Sequence, residues 1–253
     1  MTYAEFHLYF TIPQSILLWV LCYYLLDRKT LKQLFWGATT LATLAVIWTT
    51  PWDNYLIYKK IWWYGADRVL GTIGYVPFEE YFFFIIQCYF SSGFLGLLIK
   101  LSPWKLEASK NEVRFSNLLL GSCIGVFAFG VLCLFYTELF YLGLILAWAL
   151  PIFLIQQFFG RNFLIRQKFH FILGILVPSI YLCICDKIAI DQEIWAISEV
   201  YTTQIKIAGL PIEEATFFFV TNWMLIQGLI LFLHPQSQEI AKKVFKINKT
   251  EPN

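Results

Sequence analysis

The sequence predicts an all-α membrane protein: seven transmembrane helices in a parallel 3+1+3 internal repeat, N-terminus outside and C-terminus inside. Three observations carry this. First, the 253 residues are 58% hydrophobic and 14% charged, with mean hydropathy +0.62. A soluble domain carries about 25% charge, so the solvent here is lipid. Second, the apolar residues gather into seven runs near the ~20 residues that cross a bilayer. Third, VPFEEYFFF at 76–84 returns as LPIEEATFFF at 210–219.

The runs cover about 7–26, 34–52, 78–100, 115–136, 138–159, 169–185 and 211–233. Pro13, Pro151 and Pro178 fall inside them, which a membrane bundle tolerates because neighbouring groups satisfy the freed carbonyls. Charge tests the count. Arg28, Lys29 and Lys32 follow the first run, and Lys100, Lys105, Lys110 and Arg114 the third. Arg161, Arg166 and Lys168 follow the fifth, and Lys242, Lys243, Lys246 and Lys249 the seventh. These are fourteen of the nineteen Lys and Arg; Lys59, Lys60, Arg68, Lys187 and Lys206 lie on the other side. Basic loops stay inside, which sets the orientation. The N-terminus has no basic residue ahead of its apolar stretch and does not read as a signal peptide.

The repeat reaches beyond the two motifs. Asp53 stands nine residues before Trp62, and Asp186 nine before Trp195. Glu79 and Glu213 are 134 positions apart. Residues 1–104 therefore read as the first three-span repeat, 105–137 as a linking span, 138–235 as the second repeat and 236–253 as a polar cytoplasmic tail. The extra crossing gives both triplets one orientation, with a pseudo-two-fold axis along the membrane normal. Both glutamate pairs then face the outer leaflet.

Those pairs admit a structural reading. Proline at a helix start with glutamate just after it satisfies free N–H donors and the helix dipole. Three features point further. The motif recurs at matched places, and no basic residue adjoins either pair. Aromatics also share the glutamate's helix face: Phe83 and Phe84 beyond Glu80, Phe217 and Phe218 beyond Glu214. Glu79 lies 21 residues before Lys100, roughly 30 Å of helix, and so near the outer edge of the hydrocarbon. Two adjacent carboxyls at low dielectric do not both ionise cheaply, and one keeps its proton near neutral pH. Acidic residues at membrane depth are functional candidates. A carboxylic acid can protonate an alkene, aromatic faces stabilise the cation, and a carboxylate can remove a different proton in a site that excludes water. That set suits cyclisation or isomerisation of a polyene.

Other residues read more plainly. Cys22, Cys88, Cys123, Cys133, Cys183 and Cys185 lie in apolar runs as small hydrophobes. His7, His170 and His234 lack ligand spacing, so no metal is expected. Trp62, Trp63 and Trp195 read as interfacial anchors. Asp53 and Asp186 end spans, either solvated there or paired in a site. Gln87, Thr221 and Asn222 could bond the glutamates or bridge helices. A net charge of +2 points to no nucleic-acid partner.

Rival classes fare worse. No G-x-G-x-x-G is present for a Rossmann-bound flavin. DKIAID at 186–191 occurs once and lacks the basic clamp of a diphosphate enzyme. A retinal protein needs a lysine in its last span, and none lies between Ile207 and Lys242. A small 3+1+3 transporter shares the plan but needs an aqueous path, whereas the polar cluster here is backed by phenylalanines. A purely structural role predicts harmless glutamate-to-glutamine changes.

The doubled P-x-E-E-x-x-F-F, each copy preceded by an aspartate, resembles the lycopene cyclase domain of the heterodimeric and fused carotenoid cyclases, in its tandem two-repeat form. The resemblance covers nearly the whole chain. That domain also occurs in fungal fusions with phytoene synthase, a segment not read here. It implies an isomerase that converts the ψ end groups of lycopene to β-rings, giving γ- and β-carotene without net redox change or cofactor. Carried over, Glu79, Glu80, Glu213 and Glu214 are the acid/base set. Pro77 and Pro211 fix the helix starts. Phe83, Phe84, Phe217 and Phe218, with Asp53 and Asp186, line the substrate site. The copies differ, Tyr81-Phe82 against Ala215-Thr216. Some relatives act on fifty-carbon carotenoids, so substrate length stays open. The implied partners are an apolar polyene, membrane lipid and other carotenoid-pathway enzymes. The implied location is the bacterial cytoplasmic membrane, crossed several times.

Overall fold

The computed structural model describes residues 1–104 and 110–239. Lys105 and the tail beyond residue 239, with its four lysines, lie outside the described residues.

The chain opens with α1 (Tyr3–Phe6), where Thr2 and Glu5 cap each other reciprocally. A wide π turn at His7–Thr11 leads into α2 (Ile12–Leu25). Asp27 caps α3 (Arg28–Tyr58) by accepting from the backbone N–H groups of Lys29 and Thr30, each at 3.0 Å. The outer loop carries β1 (Trp62–Tyr64), β2 (Thr72–Ile73) and β3 (Val76–Pro77), and α4 (Phe78–Leu101) follows. After α5 (Lys110–Cys133) come α6 (Phe140–Leu164) and α7 (Lys168–Asp191). A second loop with β4 (Trp195–Ile197), β5 (Lys206–Ile207) and β6 (Leu210–Pro211) delivers α8 (Ile212–Leu233).

Among the described residues, six stretches are long and apolar enough to cross a membrane: Tyr3–Leu25, Phe78–Leu101, Ser116–Cys133, Thr137–Arg161, Ile165–Asp191 and Ile212–Leu233. The expected run at 34–52 lies within α3, which is long enough at 31 residues but is diluted by threonine and tryptophan. The sixth expected run is also longer than read, because α7 continues to Asp191. Asp53 and Asp186 consequently do not end their helices. Each is buried one turn and a half before the helix terminus.

α4 packs on α2 and α3, and α8 on α6 and α7. Across the middle, α4 meets α7 and α8 meets α3, while α5 lies against α6. Buried polar side chains fasten this centre. Gln87 donates to the Thr221 hydroxyl at 3.1 Å, Ser91 to Asn222 Oδ1 at 2.6 Å, and Asn222 to the Ser179 hydroxyl at 3.1 Å. Gln87, Thr221 and Asn222 are thus helix bridges and do not bond the glutamates. The two outer loops join by antiparallel pairing of β1 and β4, with Trp63 opposite Ala196. The hairpins β2–β3 and β5–β6 turn at Gly74 (φ +66°) and Gly209 (φ +86°) and feed α4 and α8.

Candidate active site

The paired glutamates point two ways. Adjacent residues on a helix are ~100° apart, and here one of each pair turns to the loop. Glu79 Oε1 accepts from the Leu70 N–H at 2.8 Å, and Glu213 Oε1 from the Thr203 N–H at 2.7 Å. Both residues are buried, and each carries one oxygen without a hydrogen-bond partner. They pin the outer loops onto the first turns of α4 and α8. His7 adds a clamp: its Nε2–H donates to the Glu79 carbonyl at 3.0 Å, and its Nδ1 pairs with the Thr11 hydroxyl at 2.8 Å.

Glu80 and Glu214 turn the other way, into one shared chamber of about 40 Å³. The β1–β4 ribbon covers it, presenting Trp62, Tyr64, Trp195 and Ile197. Phe83, Phe217 and Phe218 form its aromatic walls, and Asp186 supplies a third carboxyl. Phe84 lies elsewhere, in the wall of a neighbouring apolar cavity. Asp53 is fully buried beside the chamber with both carboxyl oxygens unpartnered, within electrostatic reach of Glu80.

The hydrogen bonding of the two chamber glutamates is unequal. Glu80 Oε2 accepts from the Tyr3 hydroxyl at 2.7 Å and the Tyr64 hydroxyl at 2.9 Å. Glu214 has one phenol beside it, the buried Tyr141 hydroxyl, against two for Glu80, and its Oε1 has no partner within ordinary hydrogen-bond geometry. Asp186 accepts from Trp195 Nε1 at 2.8 Å, whereas Trp62 Nε1, at the matching position, has no partner. Burial, and then the neighbouring Glu80, hold the Tyr64 phenol well above the usual tyrosine range. It therefore stays an O–H donor throughout neutral pH.

Two sequence expectations need revision. Trp62 and Trp195 are not interfacial anchors; they roof the chamber, and Trp63 alone of the three is well exposed. Tyr3, Tyr64 and Tyr141 escaped notice altogether. Tyr64 sits in a loop two residues after Trp62, and its counterpart in the second half is Ile197, so the repeat gives no signal for it.

The Lycopene cyclase family model matches residues 7–98 and 138–232. The chain is 40% identical over 198 residues to a lycopene beta-cyclase of Halobacterium salinarum, covering 78% of this chain and 81% of that one. It is 35% identical over 242 residues to a bifunctional lycopene cyclase/phytoene synthase of Podospora anserina, covering 91% of this chain and 40% of that protein. The corresponding Blakeslea trispora protein is 32% identical over 237 residues, 89% of this chain and 38% of that protein. No solved structure matches the chain. Two matched segments that hold the two glutamate motifs, and relatives aligned along most of the sequence, establish that the chain belongs to the lycopene cyclase family.

Proposed function

We propose that this protein is an integral-membrane lycopene β-cyclase of carotenoid biosynthesis, an isomerase that closes the ψ ends of lycopene into β-rings. One observation carries the reading. Glu80 and Glu214, from the two halves of the chain, face a single aromatic-walled chamber. Such a chamber supplies acid, base and cation-stabilising faces together.

Seven spans in a 3+1+3 plan fit the packing. α3 joins the six more apolar helices as the seventh. Thr39, Thr40, Thr43 and Thr50 each donate to the carbonyl four residues back, hiding their hydroxyls as a lipid-embedded helix requires. Residues one repeat apart meet: Gln87 bonds Thr221, 134 positions on. The β1–β4 pairing is symmetric about Trp63 and Ala196. Both support a pseudo-two-fold axis through the chamber roof, with residues 1–104 and 138–235 as its halves. The multi-pass location fits a cytoplasmic membrane.

The unequal hydrogen bonding of the two glutamates supports a division of roles. Glu214, whose Oε1 is unpartnered, donates its proton to the terminal double bond of a ψ end. The neighbouring alkene's electron pair attacks the resulting cation, forming the ring C–C bond and moving the charge onto a ring carbon. Phe83, Phe217 and Phe218 stabilise that charge. Glu80, whose carboxyl accepts from two phenol donors, takes the proton from the adjacent ring carbon and leaves the ring double bond. One proton enters and one leaves, with no redox change. Asp186 carries the proton back from Glu80 to Glu214. Glu79 and Glu213 hold the loops in register.

The test is pigment analysis in a host that accumulates lycopene, with membrane insertion checked for each variant. Wild type forms γ- and β-carotene, and Glu214→Gln forms no rings. In Glu80→Gln the residual product shifts toward rings whose double bond lies elsewhere, because another group removes the proton. Wild-type ring yield and ring type in both inserted variants would overturn the assignment.

A further inference from the structure

A second cavity, about 250 Å³, adjoins the chamber between α3, α4, α6 and α8. Its lining is nearly all hydrocarbon and aromatic, including Ala45 and Trp48 of α3, Phe84 of α4, Trp148 and Ile152 of α6, and Phe217 of α8. Gln87 and Thr221 also border it, but they bond each other. Along α4 it starts four residues beyond Glu80 and reaches eight, so it runs ~6–12 Å deeper than the chamber carboxyls. Its α3 side is open: Leu44, Ile47 and Trp48 are exposed, and in a bilayer they face lipid.

Phe217 lines both cavities. Its ring stacks on Trp52 at 5.9 Å and 4° and on Trp148 at 6.2 Å, while Trp52 and Trp148 stack at 4.6 Å. These three rings form the partition between acid chamber and groove. The matching face of the other half is built differently. Tyr181, 133 positions after Trp48, donates its hydroxyl to the Phe10 carbonyl at 2.5 Å and packs on Phe90 at 5.2 Å, tying the N-terminal helix to α7.

We propose that this groove is the lateral entry from the bilayer and the binding site for the chain of an extended conjugated hydrocarbon. The terminal group reaches past Phe217 into the chamber while the rest of the polyene lies in the groove and in lipid. Continuity with the chamber and the apolar lining favour this occupant. One chamber admits one terminal group, so the protein takes one end of the molecule at a time. The inference rests on the cyclase reading for its substrate and is tested apart from it.

The experiment uses the full chain in lycopene-containing vesicles and measures lycopene co-purifying with the protein, alongside ring formation. Ala45→Trp fills the groove, and Leu44→Trp blocks its exposed mouth. Gly125→Ala is the control, because a Cβ there meets nothing within 4 Å. Both groove variants are expected to lose at least tenfold in bound lycopene and in conversion, with the control unchanged. Binding lost in the variants while wild type binds but forms no rings would leave the groove standing and overturn the cyclase reading. Wild-type binding and conversion in either inserted groove variant, or no lycopene bound by wild type, would overturn the groove.

Discussion

At the scale of single residues, adjacent glutamates differ because a helix turns them apart. Glu79 and Glu213 accept loop N–H groups, and glutamine keeps that acceptor. Glu79→Gln is therefore expected to retain most ring formation, whereas Glu79→Ala strands the Leu70 N–H at a cost of about 1–3 kcal/mol. Tyr64 offers a sharper measurement. Its phenol stays protonated through neutral pH because burial and Glu80 raise its titration well above the usual range. Tyr64→Phe thus removes a donor and no charge. The bond it removes is one to a carboxylate, worth roughly 1.5–3 kcal/mol, or about ten- to a hundredfold in rate. That loss should be constant from pH 6 to 8 in vesicle assays; a loss that varied with pH there would show that the phenol itself titrates. The sequence made the glutamates legible through repetition, but not the tyrosines. Tyr3 reaches Glu80 across 77 positions, a contact that depends on how α1 packs against the ribbon and that no spacing encodes.

At the scale of elements, the helices were legible because apolar runs of this length have one use in a bilayer. Their ends were less so. α3 starts six residues before the expected run at 34–52 and ends six after it, so Asp53 lies inside the helix. Burial of a carboxylate is invisible to an apolar-run reading. The short hairpins before α4 and α8 were also missed, although they fix where each glutamate pair begins. Both turn at a glycine with positive φ, where a side chain costs about 1 kcal/mol. A Cβ at Gly74 would also meet Asn54 Oδ1 at 2.4 Å, an atom already accepting from the Tyr75 N–H. A Cβ at Gly209 would meet only the flexible end of Lys187. Gly74→Ala is accordingly expected to lower the thermal midpoint of the detergent-solubilised protein more than Gly209→Ala, and equal shifts would contradict the contribution of Asn54.

At the scale of the whole molecule, one chamber draws on both matched segments of the chain. Glu80 and Glu214 come together under the β1–β4 ribbon. The two surroundings differ: two phenols bond Glu80, and one, Tyr141, stands beside Glu214. The asymmetry also places the exposed Trp48 on one flank and Tyr181, bonded to the Phe10 carbonyl, on the other. A single chamber cannot hold both ends of a long, stiff polyene. The one-ringed product must leave the chamber, turn in the bilayer and re-enter with its other end. This makes a prediction about order. Labelled lycopene supplied with excess unlabelled γ-carotene should yield labelled γ-carotene, while unlabelled β-carotene dominates the two-ringed product. The dilution should follow the unlabelled excess, because the released intermediate mixes with the pool in lipid. Labelled β-carotene forming undiluted would mean that both ends are processed without release, and the single-chamber geometry would then be wrong.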